Sequence, residues 1–205
     1  MINKKKKQRI IKRYNELVAI KGFNVSGMGW KNEELLHDRY RIFMKYLNFT
    51  NLKILDYGCG IGSLYFYIKK NKIKFKKYYA NDVNETFLNE LRKKVKSKKL
   101  SVINYKNLRK SKLDTFDISI ANGVHNFNTK NHFNDFVNDL FFLYKISKIG
   151  MGISFINDNV DYREKYLSYK SLSKITKIIE KKKIPFIIDQ RLNKYETFLF
   201  LYKKN

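Results

Sequence analysis

A short apolar strand that leads directly into a glycine-rich turn, and then into a helix, constrains the fold more than any other feature. Residues 53–56 have the pattern of a buried strand, and Gly58, Gly60 and Gly62 follow at intervals of two. Apolar residues at helical spacing begin at Leu64. Because glycine has no Cβ, such a turn can bend tightly and approach a ligand closely. The order predicts a β-α unit with a nucleotide-like ligand across the turn.

The chain beyond this turn alternates short apolar strands with amphipathic helices. Seven strands are predicted: one at residues 53–56, a second that ends at residues 80–82, and five at residues 101–104, 116–121, 150–156, 185–189 and 196–202. Such alternation is typical of an α/β fold with a mostly parallel sheet, helices on both faces and right-handed crossovers. Only residues 190–194 separate the last two strands, too few for a crossover helix, so the C-terminal strand is predicted to be antiparallel.

The length and composition favour one domain over residues 1–205. The sequence contains one proline and no low-complexity spacer, so no linker divides it. Two amphipathic helices are predicted within residues 1–50, over about residues 5–20 and 32–47, and we interpret them as a lid. Residues 51–205 would form the α/β core.

The net charge of the chain is consistent with nucleic-acid binding, but other features of the sequence argue against that function. There are 44 Lys and Arg against 18 Asp and Glu, a net charge of +26, and basic surfaces attract polyanions. However, Lys greatly exceeds Arg while Asn and Ile are abundant, which indicates an AT-rich genome. The lysine-rich runs at 4–7, 93–99 and 181–183 lack interleaved aromatic residues that could stack on bases. Nucleic acid is therefore an allowed partner but not the favoured one.

Cysteine content and hydropathy favour a cytoplasmic protein. Cys59 is the single cysteine, so the sequence predicts neither an internal disulfide nor a thiolate zinc site. No apolar run approaches the roughly 20 residues of a membrane span, and the lysine-rich start has no apolar signal-peptide core. The three scattered histidines do not predict a metal site.

An acidic residue on the second strand completes a candidate nucleoside site. Asp82 stands 20 residues beyond Gly62, at the predicted end of that strand. Its carboxylate can accept hydrogen bonds from both hydroxyls of a ribose.

The glycine turn resembles the first motif of class I S-adenosylmethionine-dependent methyltransferases. That motif reads hydrophobic-(Asp/Glu)-x-Gly-x-Gly-x-Gly, and residues 55–62 match it, whereas an NAD-binding turn would read Gly-x-Gly-x-x-Gly. The resemblance continues through residues 79–82, residues 116–124 and the closing hairpin. It implies a Rossmann-like doubly wound fold, an enzyme, S-adenosylmethionine as cofactor and S-adenosylhomocysteine as product. Gly29-Trp30, Arg39-Tyr40 and residues 153–157 further resemble a bacterial subgroup whose substrates are mostly unassigned.

The resemblance also implies a set of cofactor-binding residues. The acid of the first strand and the glycine turn would surround the methionine end, Asp82 would hold the ribose, and the loop after the fourth strand would lie beside the sulfonium. Many family members have an acidic residue near the adenine amino group, where this sequence offers Asn107. The predicted cofactor residues are Asp56, Gly58, Cys59, Gly60, Gly62, Asp82, Val83, Asn107, Asn122, Gly123 and Val124.

His125 is the candidate catalytic residue. It follows the fourth strand at the carboxyl edge of the sheet, where open α/β sheets bind ligands. His132 and His37 are expected to face solvent or to pack.

The candidate substrate residues are Trp30, Arg39, Asn157, Asp158 and Tyr169. Two alternatives stay open: Trp30 could anchor the lid helix in the core, and Asn157 with Asp158 could cap the following turn.

These observations predict methyl transfer to an oxygen or nitrogen of a small-molecule acceptor, a metabolite or sugar-type intermediate. The net charge motivates an RNA or protein methyltransferase as the alternative, and a non-catalytic regulatory protein that binds the cofactor is the third hypothesis. Two nucleic-acid classes are disfavoured. Attack on a base carbon needs a second, loop-borne cysteine, and residues 122–125 lack the Asn/Asp-Pro-Pro-aromatic motif of amino-directed enzymes.

Overall fold

The secondary structure follows the predicted alternation of strands and helices. The computed structural model describes residues 4–129 and 132–204. The helices are α1 (Lys4–Lys21), α2 (Glu33–Tyr46), α3 (Ser63–Lys70), α4 (Glu85–Lys94), α5 (Tyr105–Leu108), α6 (His132–Ile146) and α7 (Leu172–Lys181). The strands are β1 (Lys53–Tyr57), β2 (Lys77–Asn81), β3 (Leu100–Val102), β4 (Phe116–Asn122), β5 (Ser147–Asn157), β6 (Tyr169–Lys170), β7 (Phe186–Asp189) and β8 (Glu196–Tyr202).

All of these strands join one sheet, in the order β3-β2-β1-β4-β5-β8-β7, with β6 paired to β5 outside this path. Strand β8 runs antiparallel to both β5 and β7, while the remaining pairs are parallel. The predicted Rossmann-like fold with an antiparallel C-terminal strand is confirmed. The strand order reverses between β1 and β4, and ligands of open α/β sheets bind in the crevice at such a switch point.

Two short elements escaped prediction because they are too brief to show a period. Strand β6 contains two residues, Tyr169 and Lys170, and raises the strand number to eight. Helix α7 begins at Leu172, after its N-cap Ser171. The single turn α5 ends β3 early, because the Asn104 side chain accepts a hydrogen bond from the backbone N–H of Asn107 at 2.8 Å and caps the turn.

Both faces of the sheet are covered, and helix α2 belongs to one of the covers. Phe43 of α2 is fully buried, with its ring centroid 5.5 Å from that of Phe198 and 5.8 Å from that of Phe200 on β8. On the opposite face, Phe136 and Leu140 of α6 are buried in a second cluster. Of the two helices predicted as a lid, α2 is thus packed onto the sheet, while α1 lies over the cavity described below.

Within residues 4–129 and 132–204, none of the helices combines the length and the apolar character that a membrane crossing requires.

Candidate active site

The glycine turn has a backbone shape that larger residues disfavour. Gly58, Gly60 and Gly62 have φ angles of 76°, 53° and 83°, in the left-handed region. A Cβ at Gly58 would lie 2.4 Å from Cγ2 of Val124, a neighbour from the loop after β4. The turn is therefore a cradle in which close approach of the backbone to another group depends on the missing side chain.

Asp82 ties the second strand to this turn. Its Oδ2 accepts a hydrogen bond from the backbone N–H of Gly60 at 2.9 Å, and its Oδ1 accepts one from that of Asn84 at 2.8 Å. Burial raises the pKa of the Asp82 carboxyl, while the surrounding backbone amides act in the opposite direction. A carboxylate has about four acceptor positions, so acceptor capacity remains for a ligand.

A cavity lies at the carboxyl ends of β1, β2 and β4. Nine of the eleven predicted cofactor residues line it: Asp56, Gly58, Cys59, Gly60, Asp82, Val83, Asn122, Gly123 and Val124. Gly62 does not line it, because it caps α3, and a Cβ there would lie 2.6 Å from Cδ1 of Leu91. Its smallness therefore allows helix packing.

Asn107 lies outside the cavity, with an exposed side chain. The turn α5 directs buried Tyr105 to the cavity in its place. The adenine contact carried over to Asn107 is accordingly corrected, since this residue is not among those that line the cavity.

Helix α1 roofs the cavity with Lys6, Ile10 and Tyr14. Its ends are attached to the body of the protein by polar contacts. Lys6 forms an ion pair with Asp135 of α6, and Asn15 accepts a hydrogen bond from the Asn84 side chain at 2.8 Å. The arrangement encloses the space in front of the glycine turn.

Of the predicted substrate residues, only Trp30 lines the cavity. It lies against the loop after β4, where a Cβ at Gly123 would be 2.7 Å from Cη2 of the indole. The guanidinium of Arg39 lies 4.4 Å from the centre of the Trp30 ring. Arg39 itself is buried and forms an ion pair with Glu196, so it supports the indole from behind and does not reach the cavity.

The other three substrate candidates stabilise loops outside the cavity. The Asn157 amide donates to the carbonyl of Lys194 at 2.9 Å, and its oxygen accepts from the N–H of Asn159 at 2.9 Å. The hydroxyl of Tyr169 accepts from the N–H of Glu164 at 2.8 Å. Asp158 is exposed. The turn-capping alternative describes Asn157, whose hydrogen-bonding groups are already used within the protein.

His125 lines the cavity next to a buried acid that sequence reasoning missed. Its Nε2 lies 3.2 Å from Oδ2 of Asp139, which also accepts a hydrogen bond from the Tyr57 hydroxyl at 2.7 Å. Arg109 forms an ion pair with the same carboxylate. Burial alone would raise the pKa of Asp139, but the neighbouring imidazole, guanidinium and hydroxyl hold it at about 2. The sequence did contain a signal for this residue, because Asp139 lies three positions after Phe136 and therefore on the same, buried face of α6.

The other histidines lie in different surroundings. His132 lines the cavity, contrary to the expectation that it faces solvent or packs. His37 packs as expected, with its ring centroid 4.7 Å from that of Tyr67. Among the described residues, no group of three or more His, Cys, Asp and Glu side chains could hold a metal ion.

The buried carboxyl of Asp56 gives a pH-dependent prediction. Burial raises its pKa from 3.8 to about 7, despite a hydrogen bond from the Tyr78 hydroxyl. The folded protein therefore keeps a proton that the unfolded chain releases, and the stability from this group is lost as the pH rises from about 4 to about 7. Asp56→Asn cannot titrate. We expect the free energy of unfolding of the wild type minus that of the variant to fall across this window.

Urea denaturation at several pH values between about 5 and 8 measures this difference. A difference that stays constant throughout would contradict the raised pKa. Asp117→Asn makes the same substitution at the start of β4, outside the cavity, and is the matched control for a general effect of pH on variants.

Comparisons with known proteins agree with the fold. A family model described as a methyltransferase domain matches residues 55–140. Magnesium protoporphyrin IX methyltransferase from Synechocystis PCC 6803, solved with bound S-adenosylhomocysteine, is similar with a TM-score of 0.66 at 14% identity, covering 97% of this chain and 96% of that one. An S-adenosylmethionine-dependent methyltransferase from Aquifex aeolicus has a TM-score of 0.58 at 19% identity, covering 80% and 88%. No curated protein matches the chain significantly.

The sheet order is that of the class I S-adenosylmethionine-dependent methyltransferase fold, and residues 55–140 match a methyltransferase domain. The protein is an enzyme, with S-adenosylmethionine as its cofactor and S-adenosylhomocysteine as the product. The residues present fit that group, because the left-handed glycines leave room for it and Asp82 keeps acceptor positions for a ribose.

Proposed function

We propose that the enzyme methylates an oxygen or nitrogen atom of a small-molecule acceptor bound under α1. The main observation in support of this proposal is that helix α1 covers the cavity. Beyond the predicted cofactor residues, the space is lined by Ile10, Phe127, Thr129 and His132. A folded macromolecule cannot enter such a space, whereas a small molecule can be surrounded by it. The magnesium protoporphyrin IX methyltransferase is a precedent for a small-molecule acceptor on this fold.

Each of the predicted cofactor residues would contact a different part of S-adenosylmethionine. In this proposal Asp82 accepts hydrogen bonds from the ribose hydroxyls, Gly58 and Gly60 lie against the methionine end, and Tyr105 with Val83 contacts the adenine. The bound cofactor supplies a methyl group activated by a sulfonium. The chain's own contribution is to orient the acceptor, exclude water beneath α1 and remove a proton where the acceptor has one to lose.

An RNA acceptor is the second candidate, and the net charge of +26 is the observation that favours it. It predicts RNA binding that weakens steeply as salt rises. It also requires α1 to leave its position, because the roof would block a nucleotide still attached to a chain. Binding that is weak, independent of sequence and never followed by methylation would dismiss this candidate.

Transfer of label from methyl-tritiated S-adenosylmethionine tests the acceptor class. We expect the purified enzyme to produce a new labelled compound in the low-mass fraction of a bacterial extract, separated by chromatography from unreacted S-adenosylmethionine after protein and RNA have been removed. Asp82→Ala, measured in parallel, is expected to reduce this labelling because it weakens the cofactor site. Label confined to RNA or protein would overturn the small-molecule proposal.

A further inference from the structure

We propose that His125 and Asp139 form a general-base pair and that the acceptor atom is a hydroxyl oxygen. This inference rests on the proposed function, since it concerns the acceptor at the same site. In it, His125 is the catalytic residue and Asp139 is its positioning residue.

Asp139 is held in a fixed position by two side chains from outside α6. The Tyr57 hydroxyl of β1 donates to its Oδ2 at 2.7 Å, and the guanidinium of Arg109 pairs with its Oδ1. Arg109 is fixed in turn by aromatic rings, with its guanidinium 4.2 Å from the ring centre of Phe142 and 4.9 Å from that of Tyr105. The carboxylate is therefore buried, ionised and unable to rotate freely.

This carboxylate determines which imidazole nitrogen of His125 carries the proton. Nε2 lies 3.2 Å from Asp139 Oδ2 and has no other partner among the described residues. A neutral imidazole beside a carboxylate keeps its N–H toward the carboxylate, which leaves the lone pair on the other nitrogen. The alignment of the two atoms is short of a formed hydrogen bond, as is common in catalytic sites without substrate. His125 thus has a free Nδ1 lone pair on a ring that lines the cavity.

The charges around the ring keep it ready to accept a proton. Burial lowers the pKa of His125, and Lys170 of β6 and Lys6 of α1 add to this, while Asp139 acts in the opposite direction. Lys170 is fully buried and donates to the backbone carbonyl of His125 at 2.6 Å. The imidazole is therefore neutral near pH 7. Once it takes a proton, the ionised Asp139 stabilises the imidazolium.

Such a base is needed for a hydroxyl and not for a neutral amine. A neutral amine already presents a lone pair and can lose its proton after methyl transfer, whereas a hydroxyl must lose its proton as the new bond forms. In the proposed step, the acceptor O–H proton passes to Nδ1 of His125 and the oxygen electron pair bonds to the methyl carbon. The carbon–sulfur bond breaks, and its electrons return to sulfur to give S-adenosylhomocysteine. Atoms and charge balance without a further reactant.

Imidazole NMR tests the pair without knowledge of the acceptor. The chain has only three histidines, so His37→Gln and His132→Gln assign the signals of His125. With S-adenosylhomocysteine present, we expect the wild type to show the Nε2–H tautomer. In Asp139→Asn we expect a lower His125 pKa and a mixture of tautomers. If the His125 titration and tautomer are unchanged in Asp139→Asn, the positioning role of Asp139 is overturned.

The labelling assay supplies the chemical test. His125→Gln is expected to slow label transfer by about 10²–10⁴-fold, the usual contribution of a general base, with S-adenosylhomocysteine affinity unchanged. His37→Gln, whose ring packs against Tyr67 outside the cavity, serves as the matched control and should transfer label normally. Hydriodic acid releases O-methyl groups as volatile methyl iodide, so label that stays on the product after this treatment is on nitrogen and overturns the hydroxyl assignment. Loss of all transfer in the wild type would instead count against the proposed function, and the NMR result would still stand on its own.

Discussion

Arg39→Met is expected to lower the free energy of unfolding by about 3–5 kcal/mol, because it leaves a buried carboxylate without its partner. Arg39 of α2 and Glu196 of β8 are both less than a tenth exposed and form an ion pair across the packed face of the sheet. Removing only the guanidinium leaves Glu196 charged in a site from which water is excluded. Chemical denaturation followed by circular dichroism measures the effect.

The double variant Arg39→Met/Glu196→Leu separates a lost partner from lost packing. The existing pair is incompletely satisfied, since Nε of Arg39 and Oε2 of Glu196 have no hydrogen-bond partner within residues 4–129 and 132–204. An apolar pair of similar size is often as stable as a buried ion pair, so we expect the double variant to recover most of the loss. If the double variant is as unstable as Arg39→Met, the penalty comes from packing against Trp30 and not from the uncompensated charge.

The parts of the fold that could be predicted from the sequence depend on local patterns. The glycine turn is encoded by three residues at a spacing of two, and the antiparallel hairpin follows from a connection too short for a helix. The predicted boundaries of α2 and β8 also agree with the observed ones to within one residue, because apolar periodicity marks the buried face of each element. Strand β6 and turn α5 were missed since two or four residues cannot express a period.

The parts of the site that could not be predicted depend on contacts between distant residues. Arg39 and Glu196 are 157 positions apart, and Tyr57 and Asp139 are 82 apart. Periodicity indicates that a face is buried but not which side chain from another element lies against it. The sequence therefore suggested Arg39 as a substrate residue, when its charge is used within the core. It gave no reason to connect Asp139 with His125.

Asp82→Ala is expected to weaken S-adenosylhomocysteine binding by about 1.5–3 kcal/mol, roughly a 10- to 150-fold rise in Kd. Two contributions add up in this estimate. The carboxylate would lose its hydrogen bonds to the ribose, and the N–H of Gly60, now bonded to Oδ2 at 2.9 Å, would lose the partner that holds the glycine turn in place. Isothermal titration calorimetry with S-adenosylhomocysteine measures the change.

Asp117→Ala provides the matched control for this experiment. Asp117 also accepts a backbone hydrogen bond, from the N–H of Lys53 at 2.7 Å, but it lies at the start of β4, away from the residues that line the cavity. Both variants thus leave a backbone donor without its carboxylate, and only one of them removes a carboxylate from the site. We expect normal affinity in Asp117→Ala. Equal affinity in Asp82→Ala and the wild type would remove Asp82 from the ribose site, whereas an equal loss in both variants would mean that binding responds to general destabilisation of the sheet.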